Sequence, residues 1–331
     1  MMRAIYGGAI TPGLTYKRVQ CPTPKIVRSS IRLNYVPIRT STKAITTMAP
    51  LGLPRSAPRQ ASFLGVLDGS LDEALAAPSV SEDQSELIKL VDTVEDIASM
   101  MDKLAKLPLA PPELHVDLEG VNLSRHGTLS LVQIHLRTTG ETFIVDITTL
   151  GKVAFSTRGK RTRHTLKSIF ESNTIWKVFF DVRSDSDILF SHYKVKLRHV
   201  YDLQLMELAT RSHGKTFLGG LKGCIENDLS LTDVEKANFV KKVEAIRLFN
   251  PKHGGSYEVF NQRPLLEVIR NYCVQDVKYL PRLWDLYSAK LKKASKWKLK
   301  VKRETSRRLG YSRSKDFEPN SSSMMNTPKG W

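Results

Sequence analysis

The spacing of hydrophobic positions changes along this chain of 331 residues. The segment DTVEDIASMMDKLAKL has apolar residues at helical spacing, and it predicts an amphipathic helix capped by Thr93. From Glu113 the apolar residues alternate with polar ones, and three short segments predict strands: ELHVDLEG, TLSLVQIHL and ETFIVDI. The loops between them, NLSRHG and RTTG, are short enough to favour antiparallel hairpins.

The second half of the chain alternates between the two patterns. It predicts a helix near 166–171, an apolar strand in WKVFFDV, a helix in SDSDILFSHY and a last strand in HVYDL. Helical spacing then dominates from Gln204 to about Lys293. Antiparallel strands followed by α/β units predict an α/β fold with a mixed sheet and helices on both faces.

Composition is that of a globular protein, with 41% hydrophobic and 25% charged residues. No apolar run reaches the roughly 18 residues of a spanning helix, which predicts a soluble protein without a membrane partner. Cys21, Cys224 and Cys273 are widely spaced, so neither a disulfide framework nor a structural zinc site is expected.

The net charge of +18 is concentrated at the two ends of the chain. Residues 1–67 contain ten Lys or Arg and no acid, and residues 290–315 contain twelve against Glu304 alone. The middle of the chain is close to neutral. We therefore expect four parts: a basic leader (1–67), a helical extension (68–112), a globular domain (113–289) and a basic tail (290–331).

The acid-free leader is typical of mitochondrial transit peptides. The alternatives are an unstructured leader of a cytoplasmic or nuclear protein, or an upstream extension that precedes a true start at Met48.

Candidate chemistry first appears in the strand LHVDLEG. Side chains alternate along a strand, so Asp117 and Glu119 share one face while Val116 and Leu118 share the other. Two carboxylates at i and i+2 can converge on one cation. The alternative for this pair alone is a solvated sheet face.

A second candidate pair lies in NYCVQDVKYL, where Tyr272 and Asp276 are four residues apart and project from one helix face. Val268 and Leu280 flank them on that face, so the carboxylate is expected to point inward and to need a cation or donors. The alternative is an exposed acid paired with a basic residue on a neighbouring turn, Lys278 or Arg282.

The third candidate lies in KVFFDVRSDSDIL, where several acids follow a strand. Asp185 shares a helical face with apolar residues, so it is the acid expected to face packed structure. Asp187 has a structural explanation as the N3 residue of a helix capped by Ser184. Asp181 is the reserve candidate.

In this order, Asp117-x-Glu119, Asp185 and Tyr272-x-x-x-Asp276 resemble the DEDDy branch of the 3′-5′ exonuclease superfamily, which includes ribonuclease D and Werner-type exonuclease domains. HVYDLQLMELATR and HGGSYEVFNQRP resemble segments of fungal proteins of this family. The resemblance implies a ribonuclease H-like fold with a five-stranded mixed sheet. One departure is Phe180, where ribonuclease D relatives commonly have His.

The resemblance implies hydrolysis from the 3′ end of RNA or DNA, with release of nucleoside 5′-monophosphates. Asp117, Glu119, Asp185 and Asp276 would hold two divalent ions, Mg²⁺ or Mn²⁺, and Tyr272 would orient the attacking water. The alternative is an inactive nucleic-acid-binding scaffold of an RNA-processing or small-RNA complex. All four carboxylates are present, which favours the enzyme.

Nucleic-acid contacts are expected from two basic and aromatic segments. HGGSYEVFNQRP and the tail contain residues able to hold a phosphate or stack on a base, namely His253, Tyr257, Arg263 and Trp297. The alternatives are a surface loop for the first segment, and for the second a solvated tail or a nuclear localisation signal.

Overall fold

The computed structural model describes residues 87–331, except His213. The basic leader expected at 1–67 lies outside the described residues, as do residues 68–86 of the extension that follows it. No helix in the described part of the chain is long and apolar enough to cross a membrane.

The centre of the fold is a six-stranded mixed sheet with strand order β1-β4-β3-β2-β5-β6. Strands β2, β3 and β4 pair antiparallel, as the short loops predict. Strand β1 pairs parallel with β4, and β5 and β6 extend the other edge in parallel. The strands are β1 (Ile88–Val91), β2 (Leu114–Glu119), β3 (Leu131–Leu136), β4 (Thr142–Asp146), β5 (Lys177–Phe179) and β6 (Val200–Asp202).

The sixth strand corrects the expected count of five. Strand β1 has only four residues, IKLV, and its pattern of exposure does not alternate. The segment forms a strand because it is hydrogen-bonded to β4, with Ile88 paired to Thr142 and Val91 to Val145. Because this strand is defined by pairing with a segment far along the chain, its own sequence shows no periodic pattern that would predict it.

Eleven α-helices are found among residues 87–331. They are α1 (Val94–Leu104), α2 (Ile147–Leu150), α3 (Val153–Ser156), α4 (Leu166–Phe170), α5 (Arg183–Tyr193), α6 (Leu203–Thr210), α7 (Leu221–Asp228), α8 (Asp233–Phe249), α9 (Glu267–Lys278), α10 (Leu280–Lys292) and α11 (Ser295–Ser312). Short 3₁₀ turns occupy Pro251–His253, Tyr257–Asn261 and Ser322–Met325.

Helix α1 has the predicted cap. The Thr93 hydroxyl accepts a hydrogen bond from the Asp96 amide at 3.1 Å, which satisfies one of the free N–H groups at the helix start. Ile97 and Met101 on its inner face are fully buried. The helix therefore packs into the same hydrophobic core as the sheet.

The sheet is covered on both faces, and this arrangement positions the candidate site. One apolar cluster joins α1, α4 and α5 to β2, β3 and β4. On the other face, Ile269 and Cys273 of α9 pack against Leu131 and Ile144 of the sheet. Helix α9 thus lies over β2 and β3.

The basic segment 290–331 contains a long helix, α11, over Ser295–Ser312. Helix α11 buries Val301, Arg308 and Leu309 and packs against α5, α6 and β6. Arg308 is 3% exposed and donates to Asp202 at 2.7 Å and to Gln204 at 2.9 Å. One face of this helix therefore belongs to the protein interior, although most of its cations are exposed.

Candidate active site

Strand β2 carries the first two candidate residues. Val116 and Leu118 are buried in the core at 0% and 2% exposure, so alternation turns Asp117 and Glu119 toward the opposite face. Gly120 follows the last residue of the strand, and the chain returns close to it: a Cβ there would lie 2.0 Å from the carbonyl oxygen of Thr128. Only glycine fits at this position without a shift of the backbone.

Helix α9 lies over that face and brings Asp276 to the pair on β2. Carboxylate oxygens of Asp117, Glu119 and Asp276 lie within 4.8 Å of one another. Asp276 is 5% exposed. The two motifs are separated by about half the chain, and tertiary packing joins them.

Asp185 occupies the first turn of α5, beside this group rather than within it. It is 4% exposed. Burial is the main cause that raises the pKa of Asp185 well above its usual value, and the charges of Asp117 and Asp181 add to it. The electrostatic coupling to Asp117 indicates that the fourth carboxylate borders the same site.

The carboxylates destabilise one another as anions. Burial raises the pKa of Asp117 to about 7, and the neighbouring charge of Asp276 contributes. Burial also raises the pKa of Glu119 well above its usual value, with help from Asp117 and Asp276. Such a site favours either protons or a cation of high charge.

The donor set fits a hard divalent cation. Its ligand atoms are carboxylate oxygens, which Mg²⁺ and Mn²⁺ prefer. Oδ2 of Asp276 is buried and has no hydrogen-bond partner among the described residues. An oxygen without a donor, beside two other carboxylates, is a free ligand for such an ion.

Tyr272 lies one turn before Asp276 on α9, next to the carboxylates. Burial raises the pKa of its phenol well above the usual value, and the charges of Asp276 and Glu119 add to this effect. The hydroxyl is therefore a stable donor. Its ring packs against Phe249, with the ring centroids 4.8 Å apart, which fixes its orientation.

One residue of the site was missed in the sequence. Lys242 of α8 donates to Oδ1 of Asp276, where the sequence offered Lys278 or Arg282 as partners. Arg282 instead pairs with Glu235 at 2.6 Å. The sequence does contain a pattern that could have identified this lysine. Lys242 is three residues after Phe239 and four before Ile246, which places it on an apolar helix face.

The other acids of the third segment have structural partners. Asp187 is fully buried and accepts from the backbone N–H and the side chain of Arg125, each at 2.7 Å. The predicted cap was wrong: α5 begins at Arg183, and Val182 is its N-cap residue. Asp187 instead ties α5 to the loop after β2.

Asp181, the reserve candidate, follows β5 in a left-handed backbone conformation with a φ of 60°. Its carboxylate pairs with Arg183 at 2.5 Å and with Arg308 at 3.3 Å. These arginines lower the pKa of Asp181 although burial, the largest single influence, raises it. An acid neutralised by two guanidinium groups is a poor candidate for a metal ligand.

Three of the four residues expected to contact nucleic acid lie within residues 253–263, and Trp297 lies on α11. His253 and Tyr257 are exposed in the turns after α8. Arg263 is engaged with the buried carboxylate of Asp146 and with the carbonyl of Phe260 at 3.0 Å. The ring of Trp297 is tilted by 57° against that of Trp331, with the ring centroids 5.4 Å apart.

Comparison with known proteins identifies the domain. The family model described as 3′-5′ exonuclease matches residues 88–292. The crystal structure of Trypanosoma brucei RNase D is similar in fold, with a TM-score of 0.53 and 20% identity over 72% of this chain and 78% of that chain. Its complex with RNA U12 gives a TM-score of 0.56 and 18% identity, over 75% of this chain and 80% of that chain.

A curated relative matches part of this chain. The mouse (Mus musculus) piRNA biogenesis protein EXD1 is 35% identical over 95 residues, which cover 29% of this chain and 15% of that protein. The human (Homo sapiens) protein of the same name is 35% identical over 95 residues and is covered to 17%. The match therefore spans less than a fifth of either relative.

Proposed function

Because the chain belongs to the 3′-5′ exonuclease family, whose model matches residues 88–292, we propose that it hydrolyses nucleic acid from the 3′ end. The reaction would need divalent metal ions, Mg²⁺ or Mn²⁺, and would release nucleoside 5′-monophosphates. Single-stranded RNA or DNA is the expected substrate.

The observation that carries this proposal is the convergence of three carboxylates on one point. Asp117 and Glu119 reach it from β2 and Asp276 from α9, with oxygens within 4.8 Å of one another. Two of these acids are partly buried and the third is buried, and keeping them in contact is unfavourable unless a cation compensates them. This arrangement has a stability cost that metal binding would remove, so a metal site explains it better than a purely structural role.

We assign roles to this chain's residues from their positions. Asp117, Glu119 and Asp276 would hold the first ion, and Asp185 would hold the second from the edge of the group. Bound divalent ions would lower the pKa of the attacking water and would stabilise the attacking and leaving oxygens. Tyr272, protonated and held by Phe249, would orient the water.

In this reaction the water oxygen forms a bond to phosphorus, and the bond from phosphorus to the 3′ oxygen breaks. The proton of the water is lost to solvent or to a site carboxylate, and the leaving oxygen is protonated.

The test is degradation of 5′-labelled single-stranded RNA and DNA with Mg²⁺ or Mn²⁺. We expect a ladder that shortens from the 3′ end and is abolished by EDTA and by Asp117→Asn. Asp233→Asn is a matched control, because this acid lies on α8 with a side chain 99% exposed. It should retain full activity.

The experiment also tests the alternative of a scaffold without turnover. Wild-type protein that binds both polymers but shortens neither, with either metal, would refute the exonuclease proposal. Equal loss of activity in Asp117→Asn and Asp233→Asn would instead refute the assignment of the site.

A further inference from the structure

Lys242 lies in the middle of α8, and its side chain is buried against the carboxylate group. The ammonium donates to Oδ1 of Asp276, and the two side chains are 8% and 7% exposed. Nζ also lies 4.9 Å from the ring centroid of Tyr272 and 5.6 Å from that of Phe239. A buried ammonium requires an opposite charge, and Asp276 supplies it.

The charge of Lys242 acts on more than its direct partner. Burial is the main cause that raises the pKa of Asp117 and of Glu119, and the charge of Lys242 lowers the pKa of both. The ammonium is therefore within electrostatic range of all three carboxylates that converge on the site.

We propose that Lys242 is a resident counter-ion of the candidate metal site and competes with the divalent cation for Asp276. This inference rests on the proposed function, since it concerns the same site. It assigns to Lys242 two effects of opposite sign: the lysine stabilises the metal-free protein and weakens metal binding.

Lys242 and the ion would compete for Asp276 whichever of its two carboxylate oxygens the ion binds. If the ion binds Oδ1, it must displace the ammonium that now donates there. If it binds Oδ2, which has no partner among the described residues, the ammonium remains on the other oxygen of the same carboxylate. Two cations that close repel strongly in a buried site, where screening by water is weak.

Removal of the lysine has a different effect on the metal-free protein. Breaking a buried ion pair leaves one charge without compensation and is destabilising. Loss of Lys242 would leave Asp276 beside Asp117 and Glu119 with no cation. A lysine with a structural role alone would also lower stability when removed, but it would not improve metal affinity.

The experiment measures both effects in the full-length protein at pH 8. Free Mn²⁺ is followed by its paramagnetic resonance signal to obtain a Kd, and thermal unfolding in EDTA gives the stability of the metal-free protein. The variants are Lys242→Met and Lys242→Gln, and the second serves if the first does not fold. Lys222→Met is the matched control, because Lys222 lines the same cavity of about 190 Å³ but is 57% exposed and pairs with Glu226.

We expect Lys242→Met to bind Mn²⁺ about tenfold more tightly than wild type, a change equivalent to ~1.4 kcal/mol. Its Tm in EDTA should be lower than that of wild type, and its rise in Tm on adding Mn²⁺ should be larger. Lys242→Gln should change both quantities in the same directions. Lys222→Met should match wild type in both.

Two results would overturn the inference and can be told apart. If both Lys242 variants bind Mn²⁺ as wild type does, within twofold, or more weakly, the metal site stands but the lysine does not compete. If neither wild type nor the variants bind Mn²⁺, the proposed metal site fails and the inference fails with it.

Discussion

The role of the C-terminal helix can be tested by replacing Arg308 with Met. Arg308 is 3% exposed, and its guanidinium donates to Asp202 Oδ2 at 2.7 Å and to Gln204 at 2.9 Å. Asp202 is fully buried. Methionine keeps most of the volume of the side chain, so the main change is the loss of charge and donors.

The expected cost follows from what Asp202 retains. Removing one partner of a buried ion pair costs roughly 3 to 5 kcal/mol. Oδ1 of Asp202 still accepts from the backbone N–H groups of Asp181 and Gln204, both at 3.1 Å. Because only one of its two oxygens loses its donor, we expect the lower end, ~3 kcal/mol.

Urea unfolding measures this difference. With an m-value of roughly 3 kcal/mol/M, the midpoint of the variant should fall by ~1 M urea at an unchanged m-value. Arg303→Met is the matched control, since Arg303 is exposed on the same helix. It should change the free energy of unfolding by no more than ~0.5 kcal/mol.

A result in which both arginine variants unfold at the same urea concentration would refute this account. It would mean that the ion pair between Arg308 and Asp202 does not help to attach α11 to the body. The outcome also bears on the active site, since Arg308 contacts Asp181 at 3.3 Å in the segment that leads into α5.

Three further predictions concern single side chains. Burial, and then the charge of Lys278, lower the pKa of His135 to about 4. In the unfolded chain this histidine has its ordinary pKa near 6.5, so between pH 7 and pH 5 the unfolded chain binds more protons than the folded protein. The free energy of unfolding should therefore fall by ~2 kcal/mol over this range because of this group. His135→Gln should flatten that part of the pH profile, and an unchanged slope would count against the assignment. Tyr272→Phe should lower kcat by roughly 10² while the Kd for Mn²⁺ stays near that of wild type, as expected for a residue that orients water; equal rates would exclude that role. Arg263→Met should cost ~2 kcal/mol in thermal unfolding, because it leaves the buried carboxylate of Asp146 with only its bonds to Thr149; a wild-type Tm would show that the pair is not needed.

Local patterns predicted much of the fold because their periods are set by the backbone. The alternation in LHVDLEG placed Asp117 and Glu119 on one face of β2, and the structure has them there. Helical spacing and the capping residue Thr93 defined α1 correctly. The spacing of four residues likewise placed Tyr272 and Asp276 on the same side of α9.

Contacts between distant segments were not predictable in this way. Lys242 and Asp276 are 34 positions apart, and Arg125 donates to the carbonyl of Ser312 from 187 positions away. No period in the sequence encodes such pairs, because they depend on how helices pack on the sheet. The cap assigned to Ser184 was also wrong: α5 begins at Arg183, and Asp187 has the distant Arg125 as its partner.

The sequence by itself determined the order of the motifs, the faces of β2 and α9 that carry carboxylates, and the resemblance that pointed to an exonuclease. Tertiary structure decided that Lys242 is the cation beside Asp276, that β1 completes the sheet and that Arg308 joins the basic C-terminal helix to it. The physical reason is that side-chain direction follows from local backbone geometry, whereas the partner of a buried charge is chosen only when the chain has packed.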